Sequence, residues 1–184
     1  MSAKKKKSWR EKLADSKGLP SVQEVSGKMS QKWGTGTFVI PAPAEVDKIM
    51  RQVPAGKVIT INDIRSALAR KYNVNFACPI TTGIFAWVAA HAAEEDAADG
   101  KEDITPYWRT LKSGGELNVK YPGGVETQCT RLEAEGHAIE PAKGKKPPRV
   151  KDFEKCLAPL QSLSHKSSLS VEILYESSGS NAPK

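Results

Sequence analysis

Apolar residues recur along this chain at helical spacing in some stretches and in short alternating runs in others. Val46, Ile49, Met50 and Val53 fall three and four residues apart, so residues 44–53 predict a helix with one buried face. Pro54-Ala55-Gly56 ends it. Thr60 then offers a hydroxyl cap, with Asp63 three residues on as its capping-box partner, and a second helix starts there. Its stripe is Ile61, Ile64 and Leu68, and it runs to about Tyr72. Asn73 to Pro79 reads as a turn anchored by Phe76. A third helix begins near Thr81, carries Ile84, Phe85, Val88 and Ala89, and runs out in Glu94-Glu95-Asp96. Two such helices joined by a turn suggest a helix-turn-helix unit, although the turn exceeds the usual three or four residues.

Around these helices the pattern is less regular. Trp9, Leu13, Leu19, Val22, Val25 and Trp33 form an uneven apolar series, and two tryptophans are costly to leave in water, so this arm is expected to pack on the domain. Thr37 to Ile40 predicts a short strand, punctuated by Pro41 and Pro43. Residues 106–121 alternate short β-like pieces with glycine turns, which reads as a wing or small hairpin. Gly123-Gly124 opens a helix carrying Val125, Cys129 and Leu132, and Gly136 closes it. Residues 141–148 read as a basic, proline-rich linker. Val150, Phe153, Cys156, Leu157 and Leu160 suggest one more short helix. The serine-rich tail follows, where Val171 to Tyr175 adds a strand or stays loose.

Charge changes this picture more than bulk composition does. The 184 residues carry a net +7, unevenly placed. Residues 1–33 hold a net +6 and residues 143–155 a net +4, while residues 34–142 hold −3. Basic arms attract polyanions without reading their sequence, or simply keep a chain soluble. The lysine run at the N-terminus has no apolar stretch after it, so it is not a secretory signal, and no apolar run reaches membrane-spanning length. Three cysteines, Cys78, Cys129 and Cys156, are an odd and widely spaced set that points to neither a disulfide framework nor a zinc site. A cytoplasmic, reducing setting is expected. His91, His137 and His165 are scattered, and no residues are spaced for metal binding or nucleophilic catalysis. No cofactor is expected.

Several motifs occur in a fixed order. They are Val53-Pro54-Ala55-Gly56-Lys57-Val58-Ile59-Thr60, Thr105-Pro106-Tyr107-Trp108-Arg109-Thr110, Ser113-Gly114-Gly115, Tyr121-Pro122-Gly123-Gly124-Val125 and Leu132-Glu133-Ala134-Glu135-Gly136-His137. Together they resemble the DNA-binding domain of the methylated-DNA–protein cysteine methyltransferases over roughly residues 41–137. That family carries Pro-Cys-His-Arg at its active site. Here Tyr107 stands for the acceptor cysteine and Trp108 for the activating histidine, so the resemblance implies a member without the family reaction.

The fold implied is mainly α with a small β wing, a winged-helix-like DNA-binding domain with extended basic arms. Its parts would be a basic, partly disordered N-terminal arm (1–36), the winged-helix domain (37–140), and a basic linker, short helix and flexible tail (141–184). The recognition helix would begin at Thr81. The family's intercalating arginine falls near Thr82 or Gly83, and its phosphate-pushing tyrosine aligns with Ile61. Ser113 matches the pocket-loop serine and Glu135 the relay glutamate. DNA contacts are therefore expected from Thr60, Ile61, Asn62, Thr81, Thr82, Gly83, Arg109, Lys112, Ser113 and Gly114, with Lys4 to Lys7 and the lysines of 143–151 adding general phosphate affinity.

Tyr107, Trp108 and Glu135 would form a lesion pocket, as in the family's non-enzymatic alkyltransferase-like relatives. Equally, the two aromatics fill that pocket with core. The resulting expectation is a non-enzymatic protein that binds double-stranded DNA, including alkylated or otherwise modified bases in repair. The alternative is a protein-interaction module on the same fold, suggested by the acidic run from Glu94 to Asp103.

Overall fold

A computed structural model describes residues 6–159. The chain runs through α1 (Trp9–Ala14), β1 (Ser21–Glu24), α2 (Lys28–Trp33), β2 (Thr37–Ile40), α3 (Pro43–Arg51), β3 (Ile59–Thr60) and α4 (Ile61–Lys71). It continues through β4 (Phe76–Ala77), α5 (Pro79–Ala98), β5 (Thr110–Leu111), α6 (Gly124–Ala134), β6 (Ile139–Glu140) and β7 (Arg149–Val150). The fold is mixed α/β with small sheets, where a mainly α domain was expected. Among the described residues no helix is long and apolar enough to cross a membrane. Leu160 and the tail strand expected at Val171 to Tyr175 lie outside the described residues, as do Lys4 and Lys5.

The helices follow the apolar spacing. Val46, Ile49 and Met50 of α3 are buried, as is Val53 just beyond it. Thr60 and Asp63 form the capping box of α4. α5 starts earlier than expected, with Pro79 in its first turn, and continues through the acidic run to Ala98. These three helices enclose one core with Val39, Ala77, Tyr107 and Tyr121. A second core gathers Val58, Leu111, Leu117, Leu132, Val150 and Phe153 under α6 and β7.

Three expected boundaries change. The N-terminal arm is part of the folded unit from Trp9 onward. β1 pairs antiparallel with β2, Ser21 opposite Ile40, and β2 pairs in parallel with β4. Trp9 stacks on His91 and meets Trp87 edge-on, which docks α1 against α5. A boundary at residue 36 would therefore cut between paired strands.

Residues 106–121 form no hairpin. Tyr107 to Arg109 make one 3-10 turn, and β5 pairs in parallel with β3. Buried Gln128 holds this segment, its amide donating to the Trp108 and Thr110 carbonyls while its oxygen accepts from the Asn118 amide. The hairpin lies instead where a linker was expected. β6 and β7 pair antiparallel, Ile139 opposite Val150, and the same register reaches Lys143 opposite Lys146. Phe153 to Cys156 form a 3-10 turn beneath it. Phe153 packs so tightly on Gly115 that a Cβ there would lie 2.3 Å from the ring.

Candidate nucleic-acid interface

Of the residues expected at a family-like site, Tyr107 is enclosed, while Trp108 and Arg109 wall an open hollow of about 560 Å³ with Pro106 and Arg51. Tyr107 is 0% exposed. Its ring meets Trp108 and Tyr121 edge-on, and its hydroxyl donates to Glu94 Oε1 at 2.7 Å. Burial and the Glu94 carboxylate push the phenol well above its ordinary range, so it stays protonated and is no nucleophile. Arg131 reaches the same carboxylate at 2.7 Å and lies over the Trp108 ring. The Tyr107 ring is thus packed as core where a lesion pocket was expected.

Glu135 gathers the neighbouring donors. It accepts from Trp108 Nε1 at 2.8 Å, from Arg109 Nε and Nη2, and from the Gly56 amide. Burial alone would raise its pKa, but the hydrogen bonds from Arg109 and Trp108 outweigh that and hold the carboxyl below the usual range. Arg109 Nη1 also donates to the Val53 carbonyl at 2.6 Å. The side chains of this ion pair are only 15% and 14% exposed. Arg109 is therefore a tie between α3, the 3-10 turn and the end of α6, and not the DNA contact expected from sequence.

Other expected contacts are also engaged internally. The Thr60 amide and hydroxyl both donate to Asp63 as part of the helix cap. Thr82 is fully buried, and its hydroxyl donates to the Cys78 carbonyl at 2.7 Å. The Gly114 amide donates to Glu116 Oε2. Ile61 is half-buried against the main core.

The rest lie near the start of α4 or on the first turns of α5. The parallel register pairs Thr60 with Leu111, so the start of α4 lies beside the turn at Lys112, Ser113 and Gly114. Arg65, which carries no expected role, joins α4 to β4. Its Nε donates to the Ala77 carbonyl at 3.1 Å and its Nη1 to Asn62 Oδ1 at 3.0 Å. Its signal was the i, i+3 spacing from Asn62 on a polar helix face. Just beyond Ala77, the first turns of α5 are open. Ile80 is 58% exposed and Ile84 48%, and the space beside Gly83 is empty. Thr81 is half-buried, and Asn62 and Ser113 are exposed.

Chemistry at the remaining cysteines has little support. Cys78 is buried, and burial with the nearby Glu133 raises the Cys129 thiol. Among the described residues no three His, Cys, Asp or Glu side chains group as a metal site would. No protein-family model, curated protein or solved structure matches the chain.

Proposed function

We propose that this chain is a non-enzymatic protein that binds double-stranded DNA through the α4–α5 helix-turn-helix. The observation that carries the reading is the open N-terminal face of α5. Ile80 and Ile84 are exposed and Thr81 and Gly83 half-buried between them, with Asn62 and Arg65 on the neighbouring α4. A helix start presents free backbone amides and a positive dipole end, which favour phosphate. An empty space at Gly83 allows close approach of a ligand backbone, and exposed isoleucines suit apolar contact with a groove. In this reading Tyr107 is structural, because its ring is packed as core.

The test is fluorescence anisotropy with two matched duplexes, one plain and one carrying O6-methylguanine, at two salt concentrations. The expected result is equal, salt-sensitive binding to both, weakened at least tenfold in Ile84→Glu. A clear preference for the modified duplex would restore lesion sensing as the function. The exposed Ile80–Ile84 pair also fits a protein partner. No binding to either duplex at low salt would overturn the DNA reading and favour the interaction module.

A further inference from the structure

We propose that the β6–β7 hairpin is a phosphate-gripping ribbon that supplies most of the salt-dependent affinity for duplex DNA, an inference that rests on the DNA-binding reading above. Its geometry is regular. Gly144 takes φ 62° at the first central position of the two-residue turn, where a II′ hairpin requires glycine. Lys143 and Lys146 exchange both backbone hydrogen bonds, at 3.2 and 3.1 Å, so they stand directly opposite each other. In such a pair the Cα atoms are about 5.5 Å apart, and like charges so placed destabilise a sheet. Lys145 adds a third cation at the tip.

The surrounding acids do not balance these charges. None of the three lysines makes an ion pair with a described residue. A hollow along the hairpin, about 490 Å³, has Glu116 and Glu140 in its wall; Glu140 is paired, and the one remaining carboxylate, Glu116, leaves the three lysines in net positive excess. Glu116 holds the Gly114 amide and Glu140 pairs with Arg149 at 3.1 Å. The ribbon is also held in place. The Leu117 amide donates to the Pro148 carbonyl and the Val150 amide to the Gly115 carbonyl, which fixes the hairpin base beside the Lys112 turn. Pro141, Pro147 and Pro148 restrict the stem between base and tip. A fixed pair of ammonium groups in net positive excess, with a third at the tip, fits the regular negative charge of a duplex backbone.

Lysines and prolines also guard exposed strand edges against pairing with other chains. The experiment separates the two roles in the full-length protein. Binding to a plain labelled duplex is measured across a salt series for the wild type, for Lys143→Gln/Lys145→Gln/Lys146→Gln, and for a control, Lys6→Gln/Lys28→Gln. If three phosphate contacts are lost, the slope of log affinity against log salt falls by about 2.7. Between roughly 50 and 200 mM salt the wild type then loses about 40-fold more affinity than the variant. Thermal melting at or slightly above that of the wild type shows that the variant folds.

An unchanged slope in a variant that still binds would make the lysines edge guards and overturn the ribbon while leaving the DNA reading intact. A control that flattens the slope as much per charge would show diffuse attraction and overturn it too. A wild type that binds no duplex at the lowest salt would overturn both proposals.

Discussion

The two basic stretches of this chain, residues 1–33 and 143–155, look alike in composition and differ in where their central cations are placed. In the first, three of the cations face carboxylates or a ring of the same molecule. Arg10 reaches Glu95, Asp96 and Asp99, Lys7 pairs with Asp15, and Lys12 lies over the Trp9 ring. Glu95 in turn accepts from the Trp9 and Arg10 amides at the start of α1. This stretch neutralises part of the acidic end of α5. In the second, three lysines on a braced hairpin have no acidic partner among the described residues. A charge count alone cannot tell a docking segment from a binding surface; the placement of the opposite charge does.

The strongest way to test this gradation is to remove the most enclosed cation. Arg109→Leu leaves Glu135 half-buried without its main partner, and a loss of about 3 kcal/mol is expected in urea unfolding. Next is the docking of the N-terminal region itself. Trp9→Ala removes the contacts with Trp87 and His91, and a loss of about 2 kcal/mol is expected, below the range for a fully buried tryptophan because Trp9 is half-exposed. Hydrogen exchange of the β1 amides would rise with it.

Acidification acts on the same side of the molecule and more weakly. Burial, then the charge of Lys12, lowers the His91 pKa against opposing pulls from Glu94 and Glu95, and burial lowers that of His137. The unfolded chain then binds more protons than the folded one between the lowered values and the ordinary 6.5. Their contribution to stability is complete above that value and declines as pH falls through the window. Melting at pH 7.5 and 5.5 should show the decline, and His137→Gln should reduce it. The smallest effect belongs to the surface. Arg10→Gln should lower stability slightly, with the difference vanishing in high salt. The triple glutamine hairpin variant should keep or slightly raise stability, because it relieves the Lys143–Lys146 repulsion; a substantial loss there would mean that its lysines hold the fold.

Sequence legibility followed the range of the interaction. α3, α4 and α6 were readable because their signals are local: apolar spacing, the Thr60–Asp63 cap and Gly136 after the last turn. Of the strands, β2 was legible at Thr37 to Ile40, but its pairing and the other strands were not. β3, β4 and β5 have two residues each and pair across distant segments, too short for alternation to register. The β6–β7 hairpin was hidden by its prolines, which suggest a linker and leave only Ile139 and Val150 as an apolar cross-strand pair. At the candidate site, that Tyr107 and Trp108 stand where the resembled family carries cysteine and histidine was plain in the sequence. That Tyr107 packs as core, and that Arg109 turns inward to Glu135, depends on partners 13 to 26 residues away in the chain.

The pairing of β1 with β2 bears on how this protein can be handled. A truncation chosen where the basic composition gives way, near residue 36, would discard β1 and leave Thr37-Phe38-Val39-Ile40 with an unpaired edge. A short, uncharged, β-prone run in that state is a template for intermolecular association. The trimmed fragment should precipitate on concentration, while one that begins ahead of Ser8 should stay monodisperse.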